Sequence, residues 1–290
     1  MARKKGQLRF PEYDSPLGKA AETAEDDGPK EFADYEERYV AVVDILGFKE
    51  LVKKSSSRNQ NDLPSHQRVS QIYAALNNDF QSARDYIAHV EQTEDVNLRI
   101  NTFSDFVVVS CRASPAGLVL VAIVVLQLCK DWLSKNYLSR GAIAKGLVVH
   151  REAQQDNLSA VVFGPAFVRA HEIESNISNF PRVILCPAAR KDWEECVDDR
   201  KGSHRKYAPL IHRCEDGPYC VDLFCQIREK GFRIGGKRKQ PLESRQFRDA
   251  LQFHLNESLD EPRFYSKARW LAEHFNSAVK KSSRLRIQFR

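Results

Sequence analysis

Two runs of apolar residues, each broken by an aspartate, set the pattern of this chain. Tyr39-Val-Ala-Val-Val43 runs straight into Asp44, and Asp105 ends Asn101-Thr-Phe-Ser-Asp105 between two further strand-like runs. An unbroken apolar run of this length reads as a strand buried on both faces. A first strand is therefore expected at 39–45, followed by a helix from near Gly47 that carries Phe48, Leu51 and Val52. Residues 54–64 are a loop by composition. Helical spacing resumes at Val69, Ile72, Tyr73, Leu76 and Phe80, and continues through Ala83, Ile87 and Val90. Strict alternation follows. Val96, Leu98, Ile100 and Thr102 take one face and Asn97, Arg99 and Asn101 the other, which describes a half-buried strand. Phe106 to Ser110 is expected to return as its hairpin partner, with Asp105 in the tight connection.

Residues 115–135 read as a helix buried on nearly all sides beneath a sheet. Its apolar stretch, Leu118 to Leu126 or to Cys129 with Gln127 included, is shorter than the roughly 20 residues of a bilayer span. The chain is therefore expected to be soluble and cytoplasmic, with no membrane partner. Strands are expected at 141–150, 159–163 and 183–186, and Gly164-Pro165 opens a helix that runs to about Ser175. The order βααββαββαβ is that of an α+β sheet with helices mainly on one face. Beyond residue 190 the pattern weakens to a strand at 219–227, a basic stretch at 228–239 and helices near 243–256 and 262–281. The expected organisation is a poorly ordered arm (1–37), a folded domain (38–190) and a C-terminal extension (191–290) of unassigned role.

Composition narrows this only slightly. The formal net charge of +6 suits an anionic ligand and is also common in proteins without one. Seven scattered cysteines, an odd number, are expected to be free thiols. His204, His212, Cys214, Cys220 and Cys225 contain no compact Cys-x₂-Cys pair, which disfavours a zinc reading. The stretch 228–239 lacks interleaved aromatics apart from Phe232, so no stable nucleic-acid partner is expected. No Walker A loop or Gly-x-Ser-x-Gly elbow is present.

The chemistry rests on the two aspartates. In a βαββαβ sheet the first strand pairs with the strand after the hairpin, about 4.8 Å away. Asp44 and Asp105 would then converge and hold two divalent ions about 3.5–4 Å apart. The Ile45 carbonyl would add a ligand, and the N–H groups of Leu46, Gly47 and Phe48 at a helix start would cradle phosphates. The competing readings are a helix-capping Asp44 and a turn-forming Asp105. Arg140 reads as a strand-start or dimer-contact residue. Lys145 is either near a triphosphate or facing solvent.

Asp-Ile-Leu-Gly-Phe (44–48), Phe-Ser-Asp (103–105), Arg-Gly-Ala-Ile-Ala-Lys-Gly (140–146) and Phe-Gly-Pro-Ala-Phe-Val-Arg-Ala-His-Glu-Ile-Glu (163–174) occur in the order of the class III nucleotidyl cyclase catalytic domain. The chain resembles that family over about residues 38–190. The resemblance implies a ferredoxin-like βαββαβ domain and a head-to-tail homodimer with active sites at the interface. It also implies two Mn²⁺ or Mg²⁺ ions held by Asp44, Ile45 and Asp105. The implied reaction is in-line attack of a metal-activated ribose 3′-OH on the α-phosphorus, giving a 3′,5′-cyclic nucleotide and pyrophosphate.

The departures point to a substrate. Where purine cyclases of the family carry a base-selecting Lys and Asp, this chain has Asn101 and Val161. Where they carry a transition-state Asn and Arg, it has Val168 and Glu172, with Arg169 one helical turn before Glu172 as the substitute. With its metal aspartates intact and its purine pocket altered, the chain looks like the pyrimidine cyclases of the Pycsar antiphage systems. That implies UTP as substrate, with CTP as the alternative, and a separate effector activated by cyclic UMP or cyclic CMP. Arg99 and Asn101 are the expected readers of the base edge. The alternatives are a catalytically dead, nucleotide-sensing cyclase-like domain and, more weakly, a basic nucleic-acid-binding protein.

Overall fold

β1 (Glu36–Ile45) runs through the middle of the sheet because its residues from Arg38 to Val43 have no solvent-facing side. The computed structural model describes residues 34–56, 67, 70, 95–152, 160–198, 204–229, 231–234 and 240–289. All but residue 70 of the helix expected over 69–90, and nearly all of the arm at 1–37, lie outside the described residues. After β1 come α1 (Phe48–Ser56), β2 (Arg99–Thr102), β3 (Phe106–Arg112), α2 (Pro115–Ser134) and β4 (Ser139–Arg151). The neighbour order β2-β3-β1-β4, antiparallel at each step, is the ferredoxin-like arrangement that the sequence predicts for an α+β domain.

α2 explains why one face of the sheet is dry. Its 20 residues are apolar almost all round, and sixteen of them are buried. Ser114 caps it by accepting from the Gly117 N–H at 3.0 Å, and Pro115 sits where no N–H is needed. By length and composition α2 could cross a membrane, yet it lies inside the fold. Burying each large aliphatic side chain is worth about 1.5–3 kcal/mol, so this helix and the strands it covers supply much of the core's stability.

The chain continues with β5 (Val161–Phe163), α3 (Pro165–Asn176), β6 (Val183–Leu185) and α4 (Pro187–Asp198). α3 lies on the opposite face from α2 and α4, a departure from the expected one-sided packing. Two contacts settle this. Tyr39 donates from its hydroxyl to Asp192 of α4 at 2.7 Å. Arg38, its neighbour on the other face, pairs with Gly146, where a Cβ would meet Ala166 of α3 at 3.6 Å.

The segment after residue 190 joins the same sheet. A 3₁₀ turn (Arg205–Leu210) leads into β7 (Ile211–Arg213), and β8 (Tyr219–Val221) pairs with both β7 and β6. The strand expected over 219–227 is short, giving way to α5 (Cys225–Arg228). α6 (Gln240–Glu257) and α7 (Pro262–Ala278) then build a second apolar cluster on the end of α2, around Leu133, Phe224, Phe247, Leu251 and Phe275. Residues Asp34–Arg290 form one compact unit.

Candidate functional site

The turn after β1 and the β2–β3 hairpin tip are direct neighbours. Asp44 stands opposite Phe106 across the β1–β3 ladder, and the Ile45 N–H donates to the Asp105 carbonyl at 3.0 Å. Ser104 and Asp105 form a two-residue turn closed by Phe103 N–H to Phe106 O at 2.9 Å. The flanking Phe103 and Phe106 rings stack at 4.7 Å, which fixes the turn against the sheet edge. The Ser104 hydroxyl donates to an Asp105 carboxylate oxygen at 2.7 Å.

Asp44 is surrounded by charge. Arg140, its cross-strand partner on β4, places Nε 3.5 Å from Asp44 Oδ2 and 2.7 Å from Glu174 Oε1 of α3. The close Arg140–Glu174 contact is an ion pair in which the N–H is not aimed at the oxygen, so neither buried atom has a hydrogen bond. The Asp44 carboxyl is pushed up to about 7, first by burial and then by the charge on Glu174. Arg140 offsets part of this, and Asp105 adds to it. Asp44 and Glu174 thus share one guanidinium from β4, with the Asp105 carboxylate acting on Asp44 from the neighbouring turn. The pocket holds more negative charge than its own strands neutralise, and its donors are hard oxygens. Both properties fit a magnesium- or manganese-type cation at Asp44 and Asp105.

α7 brings further positive charge to the same place. Lys267 feels both Asp44 and Arg140, and its pKa is lowered by burial, then by Arg140 and Arg263. Phe264 of α7 lies 3.5 Å from where a Cβ on Gly47 would be, and Gly47 itself has φ +79°. Any other residue at 47 would be strained there. Gly141, beside Arg140, holds β4 tight on β1: a Cβ there would lie 2.3 Å from the Val42 carbonyl oxygen.

Several expected roles fall elsewhere. The Leu46 N–H is not available to a phosphate, because it donates to the Leu138 carbonyl at 2.8 Å. Phe48 packs partly buried against the core. Arg99 is aligned with Ser110, which pairs with Val40, four residues along β1 from Asp44 and so roughly 13 Å away along the strand. Its guanidinium donates to the His150 carbonyl, to Asn97 Oδ1 at 2.8 Å and to Glu36 at 3.3 Å. Asn101 is buried and donates to the Arg151 carbonyl at 3.0 Å. Both side chains bind the curled end of β4, which corrects their expected role as readers of a base. Lys145 points to the opposite face and pairs with Asp192 at 2.9 Å. Arg169 is exposed and pairs with Glu172 at 3.5 Å. It is about 140° around α3 from Glu174, so within one chain it does not reach Asp44.

The residues that sequence reasoning left out of the site are Glu174, Lys267 and Arg140 in its present role. Glu174 lay inside a quoted motif, and Arg140 opens another. Nothing local marks Lys267, because only the path of α7 brings it near.

No protein-family model and no curated protein matches the chain. Solved structures with a related backbone course include the guanylyl cyclase Cya2, 12% identical over 65% of this chain and 93% of that one, at TM-score 0.39. The adenylyl cyclase CyaB from P. aeruginosa is 15% identical over 64% and 94%, at TM-score 0.40. The dimeric guanylyl cyclase domain of a RhoGC fusion protein from the aquatic fungus Blastocladiella emersonii is 13% identical over 65% and 94%, at TM-score 0.41. These likenesses are distant, and the functional reading rests on the chain's own site.

Proposed function

We propose that this protein is a nucleotide cyclase acting on a pyrimidine nucleoside triphosphate, UTP in the first instance. The observation that carries the reading is the junction of Asp44 and Asp105, two carboxylates on neighbouring strand ends. Asp44 and Asp105 would hold Mn²⁺ or Mg²⁺, which when bound neutralises phosphate charge and lowers the pKa of a coordinated hydroxyl. In the reaction the ribose 3′ oxygen forms a bond to the α-phosphorus, the bond to pyrophosphate breaks, and the 3′-OH proton leaves. Arg140 and Lys267 stand close enough to Asp44 to orient the triphosphate on that pocket. Glu174 holds Arg140 in place.

The pyrimidine preference rests on sequence alone, on the loss of the Lys and Asp that the family's purine enzymes carry at positions 101 and 161; Asn101 itself, turned to the Arg151 carbonyl, does not read the base. CTP is the nearest alternative substrate. A role in antiphage signalling through a separate effector follows from the Pycsar resemblance. A homodimer accords with the apolar patch of Tyr35, Leu147 and Phe163 beside α3, each about half exposed. In such a dimer Arg169 would serve the partner's site.

Incubation with each of the four NTPs and Mn²⁺ is expected to give cyclic UMP as the main product. Asp44→Ala and Asp105→Ala should each abolish it while the oligomeric state persists. ATP as the preferred substrate would overturn the pyrimidine reading, and retained activity in either variant would overturn the site. A second reading, nucleotide binding without turnover, is favoured by the exposed position of Arg169 and by the packing of Phe264 of α7 beside Gly47. Tight UTP binding without product would establish it.

A further inference from the structure

Three donors that the sequence separates by up to eight positions share one face of the β7–β8 hairpin. His212 and Cys214 are two residues apart and so point the same way, and Cys220 is directly opposite His212 in the ladder. The Cys214 N–H donates to Pro218 O at 2.8 Å, which keeps the hairpin paired up to that cysteine. His212 Nε2 lies 3.8 Å from Cys214 Sγ and 3.7 Å from Cys220 Sγ. Both cysteines are buried free thiols. In a tetrahedral site with Zn–S of about 2.3 Å and Zn–N of about 2.0–2.1 Å, the N···S edge is about 3.6 Å. The two N···S distances are therefore close to the edge lengths of such a site, and because Cys220 Sγ is also 3.8 Å from Nδ1, the His212 ring has to turn for Nε2 to face the ion.

The surroundings complete it. His274 of α7 stacks on His212, with centroids 4.6 Å and planes 14° apart, and makes a 3.1 Å contact from Nε2 to Asp222 Oδ1. A His212 nitrogen, an Asp222 oxygen and a His274 nitrogen also lie within 4.8 Å of one another. Asp222 thus orients His274, whose ring packs on the face of the proposed ligand His212. Arg182, which Asp216 holds with two 2.6 Å hydrogen bonds, also approaches the Cys214 sulfur, so a bound ion would share that thiolate with it. Two thiolates would balance the charge of a divalent ion, and soft sulfur donors favour zinc over the hard cations of the Asp44 pocket. The absence of a Cys-x₂-Cys pair, which argued against zinc in the sequence, is answered by strand pairing.

We propose that His212, Cys214 and Cys220 bind one zinc ion, and that this ion clasps the two strands of the β7–β8 hairpin to each other.

The test uses the full chain purified from zinc-sufficient medium. About one zinc per chain is expected by elemental analysis. After chelation, Co²⁺ should produce the near-ultraviolet sulfur-to-cobalt charge-transfer band and the intense visible bands of a tetrahedral thiolate complex. Cys214→Ser and Cys220→Ser should each weaken Co²⁺ binding at least about tenfold, while Cys186→Ser, a buried thiol outside the cluster, binds as the unaltered chain does. If a serine variant fails to fold, the unaltered chain alone decides. Absence of both zinc and the charge-transfer band overturns the proposal. So does a Cys214→Ser variant with an undiminished band, or a Cys214–Cys220 disulfide in freshly purified protein.

Discussion

At the scale of single residues the decisive property is the charge around Asp44. Its carboxyl group, held up to about 7 by burial and by Glu174, keeps a proton that the unfolded chain gives up near pH 4. Between those two values the native state binds more protons than the unfolded one. Its contribution to stability is therefore greatest in acid and is lost as pH rises towards about 7. In the absence of divalent ions, Asp44→Asn should remove this part of the pH dependence and raise the melting temperature at pH 8. Millimolar Mn²⁺ should raise the melting temperature of the unaltered chain at pH 8 and leave Asp44→Asn nearly unmoved. Identical pH profiles for the two proteins would show that Asp44 is not the strained group. Asp44 and Asp105 were legible in the sequence because an aspartate that ends a buried strand has few other places to go. Arg99 and Asn101 were misread because alternation shows which face a residue takes but not which backbone curls over that face. Here the far end of β4 supplies carbonyls that take up both side chains.

At the scale of elements, continuous apolar runs and the amphipathic spacing of α6 and α7 were read correctly, whereas one sparse helical stripe was missed. α2 was visible from its composition. α4 was not, because it buries only Ala189, Trp193 and Cys196 along an otherwise polar helix. Those positions are spaced four and three apart, a correct helical stripe with too few members to stand out. The strand expected at 219–227 failed for a related reason. Asp222 inside it accepts the Phe224 N–H at 2.9 Å, turning the chain into α5 after three strand residues. The load carried by α2 can be measured. Trp132 is fully buried on this helix, so Trp132→Ala should cost about 3–5 kcal/mol in urea unfolding, whereas an exposed change such as Glu273→Ala on α7 should cost less than about 1. A loss at Trp132 of under about 1 kcal/mol would mean that α2 does not anchor the core.

At the scale of the whole molecule, the segment after residue 190 matters because it returns to the first strand. α7 rests on the β7–β8 hairpin through His274 and carries Lys267, whose charge acts on Asp44, seven residues and about two turns earlier on the same side. Lys267→Ala should therefore raise KM for the nucleotide several-fold with a smaller change in kcat, the pattern of a lost binding contact. An equal fall in both kcat and kcat/KM would place Lys267 in the transition state instead.

Assembly is the remaining step at this scale. Tyr35 and Phe163 meet edge to face at 5.9 Å, and Leu147 lies alongside, where its carbonyl backs Gly164. A patch of large apolar side chains next to α3, the helix that carries both Glu174 and the exposed Arg169, is costly to leave in water. A second copy of this chain would cover it, and under the proposed function each Arg169 would serve the other subunit's aspartates. Sedimentation velocity should then show a dimer at micromolar concentration that Phe163→Asp shifts to monomer. Because the site would need both subunits, the same variant should lose activity although its own Asp44 and Asp105 are untouched. A Phe163→Asp monomer with full activity would show that one chain suffices for the chemistry, and that Arg169 takes no part in it.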